Sequence, residues 1–311
     1  MELSQLAGRK IVVTGAGGFI GVPLSRALHG YGAEVHGISR RDQVERRDHI
    51  RWWRADLADM SGIRNLVTKI KPDIIFHLAS YVTGSRDLRM VWPTFEGNLL
   101  STVNLLTIAS EIGCQRVILA GSLEEPESAG GETIPCSPYA AAKGASSSYA
   151  RMFHALYQTP VVIARLFMVY GPGQQDRTKL IPYVTLSLLA KQPPKLGSGQ
   201  RQVDWVHVDD VVDGLIAAVK TPNIEGRTLD FGSGTLVSIR TIVQQLSECI
   251  DPNIDLLWGA IPDRPMEQMR IANISKTYDI TGWKPKISLE IGLEQTVDWY
   301  KKQRGVLFSC D

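Results

Sequence analysis

The 311-residue sequence predicts an α/β fold: a doubly wound parallel sheet with a smaller, irregular α/β lobe. Three observations lead there. Short apolar runs alternate with longer segments of helical spacing through the first half of the chain. The runs are apolar at nearly every position, the pattern of strands buried on both faces. A glycine-rich stretch, 13-VTGAGGFIG-21, separates the first run from the first helical segment. Strand–helix alternation builds parallel βαβ units, and these require a sheet covered on both sides.

Taken in order, Ile11–Thr14 is the first expected strand and Phe19–His29 the first helix. Pro23 falls early in that helix, where a missing N–H costs least. Strands are expected at Glu34–Ile38 and Ile50–Arg54, then a helix at Ser61–Ile70 and a strand at Asp73–Leu78. A long helix over Phe95–Ile112 leads to a strand at Arg116–Ala120. Another helix, Pro138–Tyr157, leads to the strand Val161–Leu166. Beyond Phe167 prolines and glycines interrupt the chain at 171–173, 193–194 and 197–199. Helices are expected there at Lys179–Lys191, Asp209–Lys220, Ile239–Ile250 and Leu289–Gln303. The expected division is a first domain over 1–166 and a second lobe over 167–311, with about 203–232 returning to the first.

Composition excludes several functions. Hydrophobic residues make up 44% and charged residues 21%, as in ordinary globular proteins. A net charge of +2 gives no field for nucleic acid or an acidic membrane. Four dispersed cysteines and six histidines without paired spacing predict neither a disulfide frame nor a metal site. With no signal-peptide pattern at the N-terminus and no run near the ~18 apolar residues that span a bilayer, a cytoplasmic protein is expected.

The glycine loop predicts what the chain binds. Gly15 makes a tight turn, Gly18 lets backbone N–H groups approach a pyrophosphate, and Gly21 lets the helix pack against the sheet. Phe19 and Ile20, at the helix start, join them around the anion. A dinucleotide is the expected ligand. An acid after the second strand would hold a ribose 2′-hydroxyl, but this chain has Ser39-Arg40-Arg41. Two guanidiniums would clamp a 2′-phosphate, so NADP(H) is expected over NAD.

The chemistry is expected at 137-SPYAAAKG-144. Tyr139 and Lys143 share a helix face. An ammonium beside a phenol is expected to lower its pKa from about 10 toward neutrality. Such a tyrosine can exchange a proton with a carbinol while hydride moves to or from nicotinamide. Ser122 follows the strand ending near Ala120, at a carboxyl end of the sheet where ligands bind.

With these residues the chain resembles the extended short-chain dehydrogenase/reductases of the nucleotide-sugar epimerase/dehydratase group. The resemblance runs through VTGAGGFIG (13–21), ADLAD around Asp56, FHLAS (76–80), Asn98 and Ser122. It continues through SPYAAAK (137–143), RLFMVYGPGQ (165–174), VDWVHVDDVVDGL (203–215), DRP (263–265) and TGWKPKISLEIGL (281–293). It implies a Rossmann domain, with Asp56 and Leu57 bordering the adenine. Leu78, Ala79 and Ser80 would line the cofactor path, with Asn98 among the cofactor-side residues. Tyr139 would be the acid/base, Lys143 its partner and ribose anchor, and Ser122 the hydrogen bond to the sugar oxygen. Arg264 would meet the diphosphate of a nucleotide-sugar substrate. The resemblance also implies a homodimer through the helices at 95–112 and 138–157.

Three departures mark this chain. Met168 stands where the family often has a substrate-holding asparagine. Val203 takes the place of a diphosphate arginine, with Arg201 displaced by two residues and so on the same face of an extended strand. Leu123-Glu124-Glu125-Pro126 follows Ser122 in place of the frequent VYG ending. Glu124 is a candidate acid or base on the sugar; alternatively Glu124, Glu125 and Glu127 form a solvated acidic turn. His77 and His207 are read as core or sheet-end histidines, and Trp52, Trp53 and Trp205 as packing. The expected reaction is oxidation at sugar C4 followed by epimerisation or 4,6-dehydration. The alternatives are an NADPH-dependent 4-ketosugar reductase, which the Arg40–Arg41 pair favours, and a non-catalytic NADPH-binding regulator.

Overall fold

The computed structural model describes residues 5–41, 49–126 and 133–307. The elements are β1 (Lys10–Thr14), α1 (Gly21–Gly30), β2 (Glu34–Ser39), β3 (Arg51–Arg54), α2 (Met60–Ile70), β4 (Ile74–His77), α3 (Val91–Thr94), α4 (Ser101–Ile112), β5 (Arg116–Ser122), α5 (Pro138–Tyr157), β6 (Val161–Leu166), β7 (Met168–Tyr170), α6 (Leu180–Leu189), β8 (Gln202–His207), α7 (Val208–Lys220), β9 (Thr228–Phe231), β10 (Leu236–Ser238), α8 (Ile239–Ile250), α9 (Ile274–Thr281) and α10 (Leu289–Leu307).

Seven strands form one sheet in the order β3-β2-β1-β4-β5-β6-β9. The pairs β1/β2, β2/β3, β1/β4, β4/β5 and β5/β6 are all parallel. This is the doubly wound α/β fold that the sequence predicts. The chain reverses direction across the sheet beside β1, so the loops after β1 and β4 meet at one carboxyl edge. Open parallel sheets bind ligands at that switch point. A second sheet, β10-β8-β7, joins an antiparallel and a parallel pair.

Local signals set the helix ends. Asp59 caps α2 by accepting from Ser61 and Gly62 N–H. Ser137 caps α5 by accepting from Ala140 N–H, with Pro138 in the first turn. Gly113 ends α4 in the left-handed region at φ 70°. Apolar residues at 63, 67 and 70 of α2 pack under the sheet with Leu105 and Ile108 of α4. Each such Leu or Ile stabilises the fold by roughly 1.5–3 kcal/mol relative to exposure.

The predicted single helix over 95–112 is not continuous. Phe95–Leu100 is a π-helical turn between α3 and α4. The Asn98 carbonyl there accepts hydroxyls from Thr102 (2.6 Å), Ser101 (3.3 Å) and, from α5, Ser146 (3.2 Å). Those three hydroxyls satisfy the carbonyl at the widened turn. Gly97 allows the close approach: a Cβ there would lie 2.9 Å from the Tyr81 Cβ.

The chain divides into two compact units. One takes the described residues through Leu166, then Val212–Asp230 and Lys276–Trp283. The other takes Phe167–Val211, Phe231–Ser275 and the described residues from Lys284 onward. Its core gathers Ile181, Val184 and Leu188 of α6 with Ile242 and Leu246 of α8 and Leu293 of α10.

Candidate active site

The loop after β1 has no room for a side chain at Gly15 or Gly21. Gly15 has φ +70°, and a Cβ there would stand 2.8 Å from Ala79 N. A Cβ on Gly21 would meet Gly15 O at 2.1 Å. These glycines draw β1, α1 and the Leu78–Ala79 segment together at the sheet edge. Ile20 at the start of α1 has no side-chain cap, and the first turn carries no acid. Backbone N–H groups, a positive dipole end and missing carboxylates fit a pyrophosphate. Thr14 holds the neighbouring segment, its Oγ1 accepting from Ala79 N–H at 3.1 Å.

Beside this loop β2 ends at Ser39, whose Oγ accepts from Arg41 N–H at 3.1 Å. Gly15 N–H donates to Ile38 O at 3.3 Å, which sets the Ser39–Arg41 segment next to the glycine turn. On the other flank Asp56 Oδ1 accepts from Ala58 N–H, and the Leu57 carbonyl accepts from Asn104 Nδ2. The charged run continuing to Asp48 lies mostly outside the described residues.

Ser122, Tyr139 and Lys143 come together, all buried. Ser122 closes β5, and the cap of α5 at Ser137 sets Tyr139 and Lys143 one turn apart on the helix side that faces β5. The Ser122 and Ser80 hydroxyls lie near the Tyr139 phenol and act to lower its pKa. Lys143 Nζ donates to Ala120 O at 2.9 Å and lies 6.0 Å from the Tyr139 ring centroid. Ser80 Oγ donates to Asn98 Oδ1 at 2.8 Å. Asn98 also accepts from Tyr81 N–H and donates to Tyr81 O. The predicted cofactor-side residue Asn98 therefore directs its amide at Ser80 and Tyr81.

The electrostatics correct one expectation. Lys143 was expected to draw the phenol toward neutrality. Burial instead pushes Tyr139 up to about 12, against the lowering by the Ser122 hydroxyl, with the Glu124 and Glu125 carboxylates adding to the rise. Burial also brings Lys143 down to about 8, opposed by Glu125. The packing that unites the pair removes water from both, and each charged form loses its solvation.

The acidic segment is also unlike a solvated turn. Glu125 is 3% exposed, and its Oε1 accepts from Ser122 N–H at 2.7 Å. Glu124 is half-buried, its N–H donating to Ser122 Oγ at 3.2 Å, and its charge is felt at Tyr139. Glu127 lies outside the described residues. Sequence reasoning missed Glu125 because a Glu-Glu pair beside proline reads as surface. The glycine before Ser122 was the available signal: a Cβ on Gly121 would stand 2.5 Å from Glu125 Oε1.

His77 is a buried sheet histidine. Its Nδ1 pairs with Thr14 Oγ1 at 2.8 Å and its Nε2 with Thr102 Oγ1 at 3.1 Å. Burial, then the Lys143 charge, holds it at about 3. His207 is likewise buried, and its Nδ1 accepts from Asp209 N–H.

In the second unit the two arginines predicted for the diphosphate meet on one carboxylate. Arg201 Nη1 is 3.1 Å from Glu267 Oε2, and Arg264 Nη1 is 3.8 Å from Glu267 Oε1. Glu267 was not foreseen; its convergence with Arg201 depends on residues 66 positions apart folding together. Met168 opens β7, half-buried, opposite Trp205 of β8. Among the described residues no group of histidines, cysteines and acids could hold a metal ion, and no helix is long and apolar enough to cross a membrane.

Known proteins resemble the chain over nearly its whole length. The chain is 30% identical over 320 residues to a dTDP-glucose 4,6-dehydratase of Streptomyces griseus, covering 95% of each chain. It is 25% identical to a UDP-glucuronate 4-epimerase of Thermodesulfobacterium geofontis, over 94% of this chain and 96% of the relative. Among solved structures, a UDP-glucuronic acid 4-epimerase from Bacillus cereus in complex with UDP-glucuronic acid and NAD superposes with a TM-score of 0.83 at 27% identity, covering 94% of this chain and 99% of that one. Residues 11–231 match the model of the NAD dependent epimerase/dehydratase family. The chain belongs to that family.

Proposed function

We propose that this protein is an NAD(P)-dependent enzyme that modifies a nucleotide-linked sugar at C4, completing an epimerisation or a 4,6-dehydration. The observation that carries this reading is the buried Ser122–Tyr139–Lys143 cluster at the carboxyl edge of a sheet whose glycine loop fits a dinucleotide. A bound nicotinamide supplies a hydride acceptor that can return the hydride, and in its oxidised form a positive charge. With that positive charge favouring its phenolate, Tyr139 would take the proton of the 4-hydroxyl, and as the phenol it would give a proton back to the carbonyl oxygen when it is reduced. Ser122 orients that oxygen with a hydrogen bond. Lys143 supplies positive charge beside the phenol. Glu124, close enough to raise the Tyr139 pKa, is the proposed acid or base on the sugar. Arg201 and Arg264 are the proposed diphosphate contacts, and Met168 a sugar-side contact. Arg40 and Arg41 are the proposed 2′-phosphate clamp, giving a preference for NADP(H).

One observation favours a second reading, net reduction of a 4-ketosugar by NADPH. A phenol held at about 12 is a proton donor across the physiological range, the form a reductase needs. We also propose a homodimer through the helices at 95–112 and 138–157. A groove of about 610 Å³ lined by Val91, Phe95, Leu99, Ala141, Ala142 and Ala145 supports an apolar contact there. Light scattering after gel filtration would give twice the 34.3 kDa chain mass; a single mass would end that proposal.

The enzyme reading is tested with UDP-, dTDP-, GDP- and CDP-hexoses. Turnover without net absorbance change at the nicotinamide band supports epimerase or dehydratase chemistry. Stoichiometric NADPH oxidation with a 4-ketosugar supports the reductase. Tyr139→Phe should abolish turnover and spare dinucleotide binding; a nearly active variant removes Tyr139 from the account.

A further inference from the structure

We propose that Glu125 is a positioning residue for the Ser122–Tyr139–Lys143 cluster, a buried carboxylate that pins the Ser122 backbone and sets the electrostatic environment of Lys143 and Tyr139. The proposal deepens the reading above and rests on Tyr139 being the proton-transfer group.

The geometry is built around this side chain. Glu125 Oε1 accepts from Ser122 N–H at 2.7 Å, while Glu125 N–H donates to Ser122 O at 3.1 Å, so the serine is held at both backbone groups. Two glycines make the room. Gly121 leaves space for the carboxylate, since a Cβ there would stand 2.5 Å from Oε1. Gly144, next to Lys143, leaves space for the following residue, since a Cβ there would lie 2.7 Å from Pro126 Cδ. The segment that departs from the usual family pattern thus fits a matched pair of small residues on β5 and α5.

The charged groups around it define its effect. From β6, Arg165 Nε approaches Glu125 Oε2 at 3.8 Å, and the same guanidinium donates to Asp230 of β9 at 3.1 Å. From α5, Lys143 and Tyr139 both feel the Glu125 charge, and Glu124 adds a second negative charge at Tyr139. Arg165 thus shares its charge between two carboxylates. A buried carboxylate so placed favours the ammonium and disfavours the phenolate. Removing only its charge should lower both proton affinities together.

The test needs no substrate. The full chain is labelled with ¹³C at lysine ε-carbons, and the Lys143 signal is assigned by its loss in Lys143→Met. In the native protein this signal is expected to titrate near 8. Glu125→Gln, which keeps an acceptor for Ser122 N–H, should lower the midpoint by about one pH unit. A midpoint that stays put or rises overturns the proposal. If Glu125→Gln does not fold, Glu125→Asp and Glu125→Asn, alike in size and different in charge, make the same comparison. A lower midpoint in the Asn variant supports the proposal, and equal midpoints overturn it. With any hexose nucleotide that turns over, the whole bell of kcat/KM against pH should move to lower pH in Glu125→Gln. A bell reduced in height at its native position would mean a purely structural role. Failure of Tyr139→Phe to abolish turnover would strike the enzyme reading and leave the lysine titration standing.

Discussion

Gly21→Ala tests the link between helix packing and cofactor binding. The added Cβ would lie 2.1 Å from Gly15 O, 2.7 Å from Ala16 Cα and 2.9 Å from Ala16 C, all backbone atoms that no rotamer change can move. Relieving the first contact requires the start of α1 to withdraw by about 1 Å, because close-packed interiors do not yield elsewhere. Overpacking of this kind costs ~1–3 kcal/mol of stability. The same withdrawal carries the first-turn N–H groups away from the pyrophosphate position. Losing one charge-assisted hydrogen bond there costs ~1.5–3 kcal/mol, or roughly 10- to 100-fold in dinucleotide affinity. Gly30→Ala, in the same helix, is the control. A Cβ there meets nothing within 4 Å, so native binding and equal or slightly higher stability are expected. Titration calorimetry with NADPH and NADH, beside thermal melts, measures both quantities. Native affinity in Gly21→Ala would refute the argument that this glycine sets the distance between helix and loop.

Other outcomes follow from the same geometry. Replacing Arg40 and Arg41 by alanine should weaken NADPH by ~10- to 100-fold and NADH by less than about 3-fold, as loss of a phosphate clamp requires; equal losses would remove the clamp. Glu267→Gln frees Arg201 and Arg264 from their shared carboxylate and should tighten UDP binding by about 2- to 5-fold at low salt, with the gain fading as salt rises; weaker binding would mean that Glu267 holds the arginines in place. His77, buried neutral at about 3 against an ordinary 6.5, binds its proton in the unfolded chain first. Its contribution is whole above pH 6.5 and is lost as pH falls toward 3, at up to ~1.4 kcal/mol per unit. Denaturant melts across that window should show a shallower slope for His77→Gln, and an unchanged slope would sink the assignment.

The sequence by itself determined the sheet, the glycine turn and the Tyr139–Lys143 spacing. Each depends on residues near one another in the chain. Fully apolar runs specify strands buried on two faces, and the glycines specify a backbone that admits no Cβ. The Ser137 cap and the four-residue interval specify one helix face. Tertiary structure alone decided what depends on distant partners or on solvent. Glu124 and Glu125 are identical in type and adjacent. One is half-exposed and the other is 3% exposed, because only Glu125 meets the Ser122 N–H and the space above Gly121. The helix predicted over 95–112 opens into a π turn because hydroxyls from α4 and α5 converge on one carbonyl. The phenol rises and does not fall because burial is a property of the folded whole, and the loss of water outweighs the nearby ammonium.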